Sequence, residues 1–148
     1  MIKYLFAIIS LGTLAFSPIH KSGAGKLAIR FEGIEKAGGT VRLALYAAPS
    51  DFMLEEKAVL YSFKADKKGT FEANIEGLPI GSYAFAVFFD ENNNKKLDKN
   101  LVGVPMEPYG FSKAPPSKWR LPVWEEVNFE VGNSTKSLDV SLKRWAIF

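Results

Sequence analysis

Past Gly25 the chain is dominated by short runs in which apolar and polar residues alternate with a period of two. That spacing gives a β-strand one buried face and one wet face. Residues 26–34 set Leu27, Ile29 and Phe31 against Lys26, Ala28, Arg30 and Glu32, and residues 40–47 set Val41, Leu43 and Leu45 against Arg42 and Ala44. The pattern recurs at 57–65 (Val59, Tyr61, Phe63) and at 69–76 (Phe71, Ala73, Ile75). It returns at 126–131 (Val127, Phe129, Val131) and at 137–143 (Leu138, Val140, Leu142). Residues 82–89 are nearly all apolar, as a central strand covered on both faces requires.

Turn residues separate the runs: Gly38-Gly39, Asp66-Lys67-Lys68-Gly69 and Gly132-Asn133-Ser134. Seven short strands at this spacing predict an all-β fold, a seven-stranded antiparallel β-sandwich of the immunoglobulin-like or prealbumin-like kind. Residues 49–56 suit a short helical turn, and no helix of ordinary length is expected after residue 25. An outer-membrane barrel also alternates, but its strands need about 9–11 residues and an aromatic girdle at each end. These runs are too few and too short for that.

Residues 1–24 read as a signal peptide. Met1-Ile2-Lys3 is a short positive start, residues 4–16 are mostly apolar, and Ser22-Gly23-Ala24 fits a small-residue cleavage site. Gly12, Thr13 and Ser10 weaken the alternative of an uncleaved membrane anchor. The expected domain is therefore 25–148, exported to the periplasm or beyond the cell. Of 19 basic residues, removal of Lys3 and Lys21 leaves 17 against 16 acidic ones, so the formal net charge falls from +3 to +1. The basic sequence pI then gives no argument for nucleic acid or for anionic lipid, either of which needs a clustered basic face.

His20, the single histidine, would leave with the leader, and the chain has no cysteine. A mature domain with neither residue has no Ser-His-Asp or Cys-His machinery, no thiolate or imidazole metal ligand, no disulfide and no lipidated cysteine. The expectation is a protein that is not an enzyme. One alternative class remains, a glycan-acting hydrolase using carboxylates from Glu125, Glu126, Glu107, Asp90 and Asp98, which would need to converge at about 5–9.5 Å. Glu125 and Glu126, adjacent on an expected strand, would point to opposite faces.

Residues 90–125 break the strand rhythm with a long excursion rich in Asn, Lys, Pro and aromatics. Loops beyond about 12–15 residues are usually functional or disordered, and Tyr109, Phe111, Trp119 and Trp124 argue for packing. Two candidate sites fall in it. Asp90, Asn92, Asn94 and Asp98 occupy positions 1, 3, 5 and 9 of an EF-hand-type loop, with Lys96 offering a backbone carbonyl at position 7 for a calcium ion. Lys95 stands where glycine permits the sharp turn, and Leu101 where a closing Glu belongs, so an Asx-rich structural turn is the competing reading. Tyr109, Trp119 and Trp124 are candidate ligand-binding rings, a stacking platform for sugars, against a plain role in closing the end of the core. Pro115-Pro116 stiffens the loop.

Two motifs carry a resemblance. Gly77-Leu78-Pro79-Ile80-Gly81-Ser82-Tyr83 is similar to the G-L-P-x-G-x-Y hairpin of prealbumin-like and Cna-B-like sandwiches. The longer string resembles the bacterial exported domain of unknown function 2141. It runs through Phe88-Phe89-Asp90-Glu91-Asn92, Leu97-Asp98, Leu101-Val102-Gly103-Val104-Pro105 and Tyr109-Gly110-Phe111-Ser112. In that family the loop reads D-x-N-x-N-G-x-x-D, which Asp90, Asn92, Asn94 and Asp98 match and Lys95 does not. The resemblance implies an exported β-sandwich and no established activity. The expected function is a binding or interaction module with a protein or glycan partner at the cell envelope, with calcium as the one conceivable cofactor.

Overall fold

A computed structural model describes residues 24–117 and 119–145. All but one residue of the expected signal peptide lies outside them; Ala24 is already the first residue of β1, paired with Pro79. The strands are β1 (Ala24–Ile34), β2 (Gly39–Tyr46), β3 (Val59–Ala65), β4 (Gly69–Pro79), β5 (Gly81–Asp90), β6 (Tyr109–Phe111), β7 (Phe129–Val131) and β8 (Thr135–Ser141). A single helical turn, α1 (Trp124–Val127), precedes β7, and 3-10 turns at Pro49–Asp51 and Glu55–Lys57 occupy the β2–β3 connection.

These strands form two sheets. One has the order β4-β1-β8, and the other β3-β2-β5-β6 with β7 also on β5. The alternating residues meet between them: Leu27, Ile29 and Phe31 from β1, Val41, Leu43 and Leu45 from β2, and Phe85, Val87 and Phe89 from β5 are all buried in one cluster. Phe31, Phe85 and Phe89 are wholly inaccessible, and truncating a ring of this kind to alanine costs about 3–5 kcal/mol.

The fold corrects the expectation in four ways. There are eight strands among the described residues, not seven, because Tyr109–Phe111 forms a short β6 inside the excursion. Three residues are too few to show a period. The sandwich is not purely antiparallel, since β8 runs parallel to β1 from Lys26↔Thr135 to Glu32↔Ser141. Alternation is identical for either direction, and strands so far apart in the chain need no hairpin. Residues 126–131 are not one strand: α1 takes Glu125 and Glu126, because the Glu126 carboxylate accepts the Val123 N–H at 3.0 Å and the Asn128 N–H reaches Trp124 O at 2.9 Å. Glu125 and Glu126 are thus neighbours on a helical turn, not on opposite faces of a strand.

The fourth correction concerns the hairpin that residues 77–83 resemble. The turns after β1, β3, β4 and β7 each carry the chain from one sheet to the other, so none closes a hairpin. The Gly77–Gly81 segment that looks like a hairpin is such a crossing, pinned by the Tyr83 hydroxyl donating to Pro79 O at 2.8 Å.

Apolar β5 is explained by its two covers. Its inner face meets the core, and its outer face carries Ala84 into a second cluster with Tyr46, Phe111, Trp124 and Val127. Phe52 closes this cluster edge-on against both Tyr46 and Trp124, at ring distances of 5.4 and 6.0 Å. Ser112, buried, stitches the excursion to the sheet. Its hydroxyl donates to Val127 O at 2.6 Å and accepts the Phe85 N–H at 3.1 Å.

Candidate functional site

The turn that begins at Asp90 is built from side-chain to backbone bonds. Asp90 ends β5 fully buried, with Arg42 of the neighbouring strand donating Nε–H to its Oδ2 at 2.5 Å. The Lys95 N–H donates to the same oxygen at 2.9 Å and the Asn94 N–H to Oδ1 at 3.1 Å. Burial raises the carboxyl's pKa, but the Arg42 hydrogen bond and charge, with the Lys95 and Asn94 N–H groups, outweigh it and hold the pKa below the ordinary aspartate value.

The remaining oxygens close the loop on itself. Asn92 Oδ1 accepts the Asn94 N–H at 3.0 Å and Asn94 Oδ1 accepts the Lys96 N–H at 2.8 Å, two Asx turns in succession. The Asn92 and Asn94 amides donate to the two oxygens of Asp98, at 2.6 and 2.9 Å. Glu107, buried, accepts the Glu91 N–H at 2.8 Å and the Asp98 N–H at 3.1 Å. The structure thus brings Asp90, Asn92, Asn94 and Asp98 into one turn, with Lys96 contributing its N–H, and adds Glu107, which the spacing did not include. Among the described residues no group of three or more His, Cys, Asp or Glu side chains is arranged to hold a metal ion. Lys95 sits at φ +69°, the left-handed backbone that a glycine takes without strain.

The second candidate is a groove of about 780 Å³ beside β6 and β8. Its position follows from β6, which pairs with β5 on one side and bridges to Lys143 on the other; Tyr109 and Lys143 exchange both N–H···O bonds at 3.0 Å. Gly110 lets β6 lie this close, because a Cβ there would stand 3.3 Å from Ser141 O and from Val140 Cγ1.

The groove is lined by the turn at Gly103, Val104 and Pro105 and by the segment carrying Ala114, Pro115, Trp119 and Leu121. Trp119 is three-quarters exposed and meets Trp145 edge to face, with ring centroids 5.7 Å apart and planes at 80°. Tyr109 also lines the groove, and burial raises its hydroxyl pKa.

Two arginines brace these segments. Arg120 binds Glu126 through both guanidinium nitrogens, at 2.9 and 2.5 Å, tying the Trp119 segment to α1. That bond holds the Glu126 pKa low and the Arg120 pKa high. Arg144 donates to Glu35 and Glu91, each at 2.7 Å, and to Met106 O, joining three loops beneath the groove.

Of the expected ring platform, Tyr109 and Trp119 reach the groove. Trp124 does not: it is 8% exposed in the cluster on the outer face of β5, where Phe52 and Val127 cover it. Trp145 stands beside Trp119 instead. Its place in the chain, just past the last alternating run, was the signal that it lies outside the core. Arg42, Arg120 and Arg144 carry no signal in the sequence, because their carboxylate partners are distant or non-periodic in the chain.

An all-β fold of two packed sheets, with an aromatic groove lined in part by one long inserted segment, defines the class. Residues 29–139 match the family described as "Uncharacterized protein conserved in bacteria (DUF2141)", and the chain belongs to it. No curated protein and no solved structure matches the chain significantly.

Proposed function

We propose that this protein is an exported, non-enzymatic interaction module of the cell envelope, and that it takes its partner along the groove beside β6 and β8. The observation that carries this reading is the set of exposed apolar side chains about the groove. Trp119, Leu121, Met106, Leu101 and Val102 are 55–106% exposed and sit on the groove walls or on the loops that form them. Apolar side chains gathered about a concave surface, rather than scattered, mark binding surfaces. Export is supported by the charge and hydropathy pattern of residues 1–24.

The lining supports binding over hydrolysis. Asp139 is the one carboxylate among the described groove residues, beside Arg120, Lys143 and Arg144. A glycosidase needs two carboxylates flanking the scissile bond. A sugar ligand is the second reading, favoured by Trp119 and Tyr109 lining one groove. The 80° angle between Trp119 and Trp145 makes a corner for one ring, not a flat platform for two.

Peptide and glycan arrays probed in parallel with wild type and Trp119→Ala test the reading. Ligands retained by wild type should lose at least about tenfold in affinity in the variant, the effect of removing a central aromatic anchor. Ligands that bind both proteins equally would place the binding surface elsewhere and sink the proposal.

A further inference from the structure

The turn that lines part of the groove has a property its groove-facing side does not explain. It is tightly hydrogen-bonded: the Asn100 N–H reaches Val104 O and the Gly103 N–H reaches Asn100 O, both at 2.9 Å. Asn100 Oδ1 accepts the Val102 and Val104 N–H groups, both at 3.0 Å, and Lys99 bridges to Pro105 below. At the apex of this rigid turn stand Leu101 and Val102, 106% and 78% exposed. Turn apices ordinarily carry Asn, Asp, Gly or Ser. Here two adjacent aliphatic side chains are held out into water by a scaffold that cannot fold them back.

Three lysines precede the apex in the chain, and Lys95, Lys96 and Lys99 are exposed. The carboxylates of the same region are less exposed and engaged: Asp90 by Arg42, Glu91 by Arg144, Asp98 by the Asn92 and Asn94 amides, and Glu107 by two backbone N–H groups. Trp119 lines the same groove, and its indole combines an apolar body with a polar N–H and so suits a water–lipid boundary. An exposed apolar apex with three exposed lysines close by in the chain is complementary to a surface that is anionic outside and apolar immediately below.

We propose that the turn at 98–107 is a docking element for an anionic lipid surface. Leu101 and Val102 enter the headgroup–acyl boundary, and Lys95, Lys96 and Lys99 meet the phosphates. This goes beyond the interaction-module reading: the apex holds the protein at a bilayer and leaves the groove to its own partner.

Vesicle co-sedimentation of the full chain, with its N-terminus checked by mass spectrometry, tests the proposal. Wild type should pellet at least about tenfold better with phosphatidylethanolamine vesicles holding roughly a third phosphatidylglycerol than with pure phosphatidylcholine. The preference should weaken steeply as salt rises from about 0.05 to 0.5 M. L101S/V102S should lose at least about tenfold of the binding through lost apolar insertion, and K95E/K96E/K99E should lose the anionic preference. Comparison of variants with wild type cancels any contribution from the N-terminal segment, and matched thermal unfolding excludes misfolding. Failure to bind anionic vesicles, or binding unchanged in both variants, overturns the proposal. So does a dimer in light scattering that L101S/V102S abolishes while vesicles stay unbound. Array ligands that still require Trp119 would, in either case, leave the module reading intact.

Discussion

The Asp90 carboxylate, wholly buried at the end of β5, accepts the Nε–H of Arg42 from the adjacent strand at 2.5 Å. The pair joins the sheet to the excursion, because the same carboxylate also holds the Asn94 and Lys95 N–H groups. Arg42 keeps a partly exposed side chain and adds a 3.2 Å bond to Ser62 on β3. The charge pair is therefore an anchor spanning three strands and a loop.

Removing the cation alone should be costly. Arg42→Met leaves a buried, uncompensated carboxylate, and urea unfolding is expected to show a loss of about 3–5 kcal/mol. A loss under 1 kcal/mol would mean that the backbone N–H groups suffice to hold the charge.

The pair also fixes a direction for acid sensitivity. Asp90 titrates below its ordinary value of 3.8 in the folded state, so the unfolded chain takes up the proton first as pH falls. Its stabilising contribution is fully present above the unfolded value and drains away as pH drops below 3.8 through the folded one. Unfolding free energy measured between pH 6 and pH 2 should fall more steeply for wild type than for Asp90→Asn. Parallel slopes would exclude Asp90 as the source.

Lys95 holds a left-handed conformation at φ +69°. Such backbone costs a side-chain-bearing residue roughly 1–2 kcal/mol, part of which a glycine loses again as unfolded-state entropy. Lys95→Gly should raise stability by about 0.5–1 kcal/mol. A decrease would show that the lysine side chain makes a contribution larger than its backbone strain.

The loop closes on its own hydrogen bonds, with the Asn92 and Asn94 amides donating to Asp98. Thermal unfolding with about 10 mM calcium and with chelator is expected to coincide within about 1 °C, since a bound ion at 100 times its dissociation constant would add about 2.7 kcal/mol. An upward shift of several degrees that disappears in Asp98→Ala would establish a cation site in place of those bonds.

The two loop tryptophans should separate cleanly. Trp124→Ala empties the outer cluster and should cost about 3–5 kcal/mol, as large buried rings do. Trp119→Ala, at a residue 75% exposed, should cost under about 1 kcal/mol and act on binding instead. Equal destabilisation by the two would place Trp119 in the core and remove it from the groove.

Much of the architecture was legible because burial writes itself into alternation. β1, β2, β4 and β5 lie within a few residues of their expected bounds, and Leu27, Val41 and Ala73 face the core as their spacing requires. Short elements were not legible. Tyr109–Phe111, three residues long, is too brief for any period, and of the strand expected at 126–131 only Phe129–Val131 forms; both pair along β5. The site was half legible: Asx spacing located the Asp90 turn, and aromatic content located the excursion. Which oxygens the turn uses, and which rings the groove keeps, depended on partners tens of residues away.

By itself the amino-acid sequence determined an all-β fold, the absence of cysteine, and one long excursion at 90–125, since periodicity and composition are local properties. The tertiary structure alone decided that the tight turns cross between sheets, that β8 runs parallel to β1, and that Asp90 turns inward to Arg42. It also decided that Trp124 enters a second core while Trp119 stays in the groove with Trp145. Each of these is a choice among locally equivalent options. Packing two faces of β5 at once selects among them, because this arrangement covers the apolar strand and leaves the buried carboxylates of Asp90 and Glu107 hydrogen-bonded.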